Sequence, residues 1–536
     1  MNYLLNHLHP GESVPLWMDK VRMPAFNALK RHLRVDVCIV GGGMAGLTTA
    51  YHLLLEGKTV CILEGYEVGS GQSCRTTAQV TSVLDYRYYE LEKIHGLEGA
   101  RLAAISHQTA IENWRNVIEK EQFDCEAESV NAYLFDADDK TGRKTGQNLD
   151  IELQAAHRAD LMNVYRVNQV PIDSFDPVPA LCFPKQLQFH PTKLLAALAK
   201  NIFNNGGKIF THTHVTEIKG GKTAKVTTKD GFTVRCKSIV VATNTPINDI
   251  IAVHTKQAPY RSYVIGFRVP KGSVPRGLYF DTLDPYHYIR VENDESSLFD
   301  LILTGGEDHK TGQNEEPLAC YRMLEEWARE RFPQAGEVVY KWSGQVMEPV
   351  DGLAFIGKNP LDSENVYIIT GHSGTGMTYS MISGRLITDL IMGHANPFAK
   401  LYDPARISLR ATNNFFKENL NVLAQYKDWF TGEPESNLDE VRQNEGLVIR
   451  HGSKLVAAYR DEKGNLEMYS AICPHLGGVV RWNQAEKSWD CPCHGSRFDC
   501  HGEVMEGPAN RDLKPILDHP NPLTQGPRLE STLGLG

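Results

Sequence analysis

The chain has 536 residues, 41% of them hydrophobic and 23% charged, with a formal net charge of −9 at pH 7. That length holds two or three domains with cores of their own, and neither the acidic balance nor any local Lys/Arg cluster offers a footprint for nucleic acid. Its 11 Cys are scattered rather than framed as in a secreted scaffold, no apolar run approaches membrane-spanning length, and the N-terminus lacks a basic-then-apolar leader or twin Arg, so a reducing cytoplasm is expected. Residues 1–30, with Pro10, Pro15, Trp17 and Pro24, read as an irregular arm on the surface.

Val35–Glu64 is the first stretch with a chemistry. An apolar strand runs into Gly41, Gly43 and Gly46 as GxGxxG, then into a helix with Leu47, Ala50, Leu53 and Leu54 on one face, a stop at Gly57, and a second strand ending at Glu64. The glycines permit the tight turn and the close approach of backbone to a pyrophosphate at a helix N-terminus, and Glu64 is placed for a ribose. The fingerprint occurs once. A flavin reductase using a pyridine nucleotide needs two, one for each dinucleotide.

Residues 90–135 predict a helix and then a strand near Tyr133, and 256–340 predict antiparallel strands from their alternating apolar positions. The strand Val366–Thr370 runs into a glycine-rich segment with Gly374, Gly376, Met377 and Thr378. Backbone N–H groups at such a helix start suit an anionic ring. Residues 401–436 are a linker containing a helix over about 407–429, expected to dock on the domain before it, and a hinge at 431–436. Short strands with turns follow over 437–518, and 519–536 reads as a flexible tail.

Within that last unit, Cys473-x-His475 and Cys491-x-x-His494 pair a thiolate with an imidazole twice. Two thiolates on one iron and two imidazoles on the other make a Rieske [2Fe–2S] centre. Structural zinc also takes Cys2His2, but usually with Cys pairs and His pairs kept apart. With Gly495-Ser496 and Gly507-Pro508-Ala509 the stretch resembles the Rieske signature. Respiratory-type Rieske proteins have a second Cys where Gly478 stands, disulfide-bonded to the Cys matching Cys493, and a Tyr where Phe498 stands. With Ser496 as the remaining donor, a potential in the lower Rieske range is expected.

Residues 31–400, in their order of motifs, resemble the D-amino-acid oxidase/glycine oxidase family of FAD-dependent oxidoreductases, and the whole chain resembles bacterial fusions of that family with a C-terminal Rieske domain. The resemblance implies an α/β FAD-binding Rossmann-type domain, an inserted α+β antiparallel-sheet substrate domain (about 90–150 and 256–340) and a small all-β Rieske domain. It lays Gly374, Gly376, Met377 and Thr378 against the flavin and, loosely, Arg75 and Thr76 beside the diphosphate. It places Tyr and Arg of the sheet on a substrate carboxylate: Tyr288, Arg290 and Arg261, with Tyr260, Tyr286 and His287 nearby.

The implied activity is oxidation of a small amine or amino acid, with electrons leaving singly through the chain's own cluster to a protein acceptor, from a pocket outside the Rieske fold. Two alternatives stand beside it: an NAD(P)H-linked electron supply for an oxygenase, which the missing second fingerprint disfavours, and a redox sensor without turnover using exposed Cys493 and Cys500.

Overall fold

The structure, a computed structural model, describes residues 13–19, 21–136, 149–175, 178–248, 253–294, 296–360, 362, 364–426 and 438–516. The strands Val37–Val40 and Val60–Leu63 are apolar and buried at every position, as a sheet covered on both faces requires. They lie in a six-stranded sheet ordered Phe355–Lys358, Val366–Thr370, Ser238–Val241, Val37–Val40, Val60–Leu63, Lys208–Phe210. Its neighbours are parallel except the first pair. The chain leaves Val37–Val40 through the helix Met44–Leu55 to one side and returns on the other, so the glycine turn opens on a crevice at the strands' carboxyl ends.

The two expected insertions form one larger sheet, joined where Leu278–Asp281 runs parallel to Glu128–Phe135. Its long strands Gln257–Pro270, Phe299–Lys310 and Val338–Pro349 are antiparallel. The helix Tyr88–Lys120, kinked at Gly96, packs on the helix Gly376–Met392. The C-terminal unit has a three-stranded sheet (Glu445–His451, Lys454–Arg460, Leu466–Ser470) and a four-stranded one (Arg481–Asn483, Ser488–Asp490, Arg497–Asp499, Val504–Glu506). The fold class is the expected one.

Two expectations are refined. The N-terminal arm, irregular and mostly at the surface over 13–19 and 21–30, is pinned by buried anchors. Trp17 is 1% exposed, its Nε1 donating to the Thr76 carbonyl at 2.6 Å and its own carbonyl accepting from Thr192, and Leu29 is buried as well. A Pro-rich stretch without periodicity conceals such single anchors. The linker helix spans Thr412–Gln425. It touches both units, with Asn419 donating to the Thr255 carbonyl and Tyr426 to that of Leu476. Residues 1–12, Trp429, the hinge and the tail lie outside the described residues. Among the described residues no helix is long and apolar enough to cross a membrane.

Candidate functional site

A cavity of about 550 Å³ lies over the glycine turn. Gly41, Gly43 and Glu64 are on its wall, and so are Gly374, Gly376 and Met377 of the glycine-rich segment. The three fingerprint glycines do different work. A Cβ on Gly41 would stand 2.3 Å from the Ala242 carbonyl oxygen, and one on Gly46 2.0 Å from that of Gly41, so these two allow backbone to pack on backbone. A Cβ on Gly43 meets little but Ser73 Oγ at 3.0 Å; this glycine keeps the cavity floor open. Glu64 accepts from the amides of Gly42 (2.7 Å) and Tyr66 (2.9 Å), and burial pushes its carboxyl up. This cradle fits FAD, with an open N-terminal helix turn for a diphosphate and a carboxylate beside it for a ribose.

Thr76 also lies on the wall. Arg75 borders the cavity, but its guanidinium turns away to the Ser343 carbonyl (2.7 Å), to Ser13 and to Glu486 (3.5 Å). Thr378 is off the wall, bonded through Oγ1 to the backbone of Thr81, and braces the helix instead.

At the glycine-rich segment the wall carries Asp85, Ser262, Tyr286, Tyr288 and Ser373. Tyr288 and Ser262 are hydrogen-bonded at 2.9 Å. Asp85 accepts from Gly374 N and Ser373 Oγ, both at 2.8 Å, and Ser373 also reaches Glu348 at 2.7 Å. Burial, with Asp85 adding, pushes Glu348 up to about 8. Burial likewise pushes Asp308 up to about 7, against a hydrogen bond from Ser262.

The two expected arginines are not here. Arg290 is buried, donating to the carbonyls of Thr77, Ala78 and Phe189 and paired with Glu292. Arg261 is buried against Ser343 (3.0 Å) and Glu486 (3.5 Å). His287 also lies off the wall, held between Asp281 and Glu307; burial would push it down, but these carboxylates hold it up at about 9. The acids Asp85, Glu348 and Asp308 escaped the sequence reading because each is a lone residue outside any motif.

The cluster loops repeat one hydrogen-bond pattern. Cys473 N donates to the Gly478 carbonyl and Gly477 N to that of Cys473; Cys491 N donates to the Ser496 carbonyl and Gly495 N to that of Cys491, all at 2.8–3.0 Å. Gly477 and Gly495 take φ of 76° and 79°, the left-handed region that each turn needs. The rings of His475 and His494 stand 5.1 Å apart at 89°, and Cys473 and Cys491 are each 2% exposed. Two thiols and two imidazoles on facing loops fit a centre of two irons. A Cβ on Gly478 would lie 2.6 Å from Cys493 Sγ, so this glycine does sit beside Cys493. Cys493 itself is 2% exposed and Cys500 half-buried, which removes the exposed pair expected of a sensor.

The pocket does not lie outside the Rieske fold. Residues 503–507 and 509–512 line the dinucleotide end of the cavity. Tyr66 donates to the Val504 carbonyl, Asn510 to that of Thr216 (3.2 Å), and Lys229 pairs with Asp512 at 2.9 Å. Glu486 is inserted between Arg75 and Arg261. The His254 ring packs 4.9 Å from His475 and 5.7 Å from His494. Gln345, on the cavity wall, donates to the Gly495 carbonyl at 2.9 Å.

Residues 36–390 match the family model described as FAD dependent oxidoreductase, and 433–517 match the Rieske [2Fe-2S] domain. The chain is 32% identical over 504 residues to the Bacillus subtilis (strain 168) protein YhfW, named as a Rieske 2Fe-2S iron-sulfur protein, covering 93% of this chain and 97% of that one. It is 26% identical over 385 residues to gamma-glutamylputrescine oxidoreductase of Escherichia coli (strain K12), covering 70% and 87%. Glycine oxidase from Geobacillus kaustophilus superposes with a TM-score of 0.56 at 18% identity, over 70% of this chain and 99% of that one. The chain therefore belongs to the D-amino-acid-oxidase-type family of FAD-dependent oxidoreductases, carries a C-terminal Rieske domain, and takes FAD and a [2Fe–2S] cluster as its cofactors.

Proposed function

We propose that this oxidoreductase is an amine dehydrogenase whose electrons leave singly, through its own Rieske centre, to a protein acceptor. FAD supplies two-electron hydride chemistry and the cluster one-electron transfer. The observation that carries the reading is the wall facing Ser373–Met377, which presents Asp85, Tyr286 and Tyr288, has Glu348 and Asp308 behind it, and has both neighbouring arginines turned elsewhere. Carboxylates and tyrosine faces attract an ammonium group, whereas Arg261 and Arg290, the guanidiniums expected to take an amino-acid carboxylate, are bonded elsewhere. The relative named gamma-glutamylputrescine oxidoreductase agrees with an amine.

In this reading Gly41, Gly43 and Gly46 shape the diphosphate cradle, Glu64 holds the ribose, and the amides of Gly376 and Met377 face the flavin ring, that of Gly374 being held by Asp85. Tyr288 and Asp85 orient the amine. Cys473 and Cys491 hold one iron, His475 and His494 the other. Gln345 joins the histidine side of the cluster to the cavity, with His254 packed against both imidazoles, which supports passage between the two centres.

The test is anaerobic bleaching of the flavin with a panel of small amines, amino acids and NADH. Amines lacking a carboxylate should bleach it. Bleaching by α-amino acids alone would overturn the amine assignment, and rapid bleaching by NADH would favour the electron-supply alternative.

A further inference from the structure

We propose that the Rieske domain supplies part of the FAD site itself, with Asn510 and Arg511 closing over the ADP half of the cofactor. On the proposed function, Ser373–Met377 mark the ring end of the cavity, and Gly43 and Glu64 the diphosphate and ribose. From Glu64 the wall continues through Tyr66, whose ring stands 4.9 Å from that of His214 and whose hydroxyl donates to the Val504 carbonyl, and through Thr216, whose carbonyl accepts from Asn510. The adenosine therefore has Rieske residues as one of its walls.

Two acids on this part of the wall, Asp512 and Glu506, have cationic partners, while Glu503 and Arg511 make no ion pair among the described residues. Lys229 is paired with Asp512, and Glu506 faces Arg497 and Gln72. Arg511 borders the cavity and is exposed. A planar guanidinium suits a diphosphate or the face of an adenine ring, both in the ADP half.

The loop that carries Arg511 is anchored on both sides by the Rieske core. Ala509 N donates to Ser496 Oγ at 3.0 Å, two residues past the ligand His494, and Leu513 N donates to the Gly502 carbonyl at 2.8 Å. Asn510 then ties the loop to the Thr216 carbonyl. The position of Arg511 thus depends on both domains, and retention of FAD is coupled to the integrity of the Rieske fold. Nothing in this depends on which substrate is oxidised.

The experiment measures FAD release from the full-length holoprotein, as recovery of flavin fluorescence after dilution, with the EPR spectrum of the cluster as the check on folding. Arg511→Ala should release FAD about tenfold faster or more, the loss expected for one charge-assisted hydrogen bond, with an unchanged cluster spectrum, and Arg511→Lys should recover part of that loss. Lys229→Ala, which breaks the clasp to Asp512 and removes a second cation from the wall, should also speed release. Off-rates equal to the unsubstituted protein in both Ala variants would overturn the proposal.

Discussion

Tyr288 and Arg290 share one face of the strand Tyr288–Asn293, since side chains two apart point the same way. Tyr288 meets the cavity, but two residues along that face Arg290 meets the Thr77, Ala78 and Phe189 carbonyls and is spent there. Arg261 adjoins Ser262, which lines the cavity, so it points to the opposite face and to Glu486. Residue type was readable in the sequence; register against the cavity was not. The fingerprint glycines were legible because their spacing is local, although what each makes room for differs: backbone for Gly41 and Gly46, open cavity for Gly43. The acids that replaced the arginines lead to a pH prediction. Glu348 is held up at about 8 and Asp308 at about 7, chiefly by burial, so both are neutral below those values and anionic above. A quaternary ammonium inhibitor, whose own charge does not titrate, should bind weakly at pH 6 and tighten as pH rises through 7 and 8. The gain is at most about tenfold per pH unit for each carboxyl. Binding that is flat with pH would remove these acids from the site.

At the scale of elements, the strand–turn–helix–strand unit and the two cluster loops were legible because each is specified within about thirty contiguous residues or by a short ligand spacing. What joins the elements was not. Glu486 lies in the turn between Arg481–Asn483 and Ser488–Asp490 and reaches Arg75, beside the glycine turn, and Arg261, on the large sheet. All three are buried. Burial alone would raise the Glu486 carboxyl, but these two guanidiniums, with Arg497, hold it below the usual range. Removing a buried ion's partner leaves charge uncompensated, at a cost of about 3–5 kcal/mol. Glu486→Ala should therefore lower the unfolding midpoint clearly, as followed by the cluster's visible circular dichroism. A midpoint within the scatter of surface substitutions would show that the three charges are not coupled as the distances imply.

Across the whole molecule, the two cofactor sites behave as parts of one body, which a reading of the chain as successive modules could not anticipate. Ser13, Arg75, His254, Gln345 and Asn510 come from five separate stretches, and none belongs to a periodic pattern that points to a partner. Together they set the histidine side of the cluster against the cavity wall and the segment 503–512 over its dinucleotide end. Cluster-ligand variants therefore test electron flow poorly, because they disturb a segment that lines the FAD cavity. His254→Leu is the cleaner test. His254 is buried beside both imidazoles, is no part of the ligand set and does not line the cavity. The variant should keep its FAD, its cluster EPR signal and its rate of bleaching by substrate, because hydride transfer depends on the cavity alone. Stopped-flow reduction of the cluster by substrate should slow, and turnover with a one-electron protein acceptor should slow with it. Cluster reduction at an unchanged rate would mean that electrons do not pass by this contact, and Gln345, with its bond to the Gly495 carbonyl, would be the position to vary next.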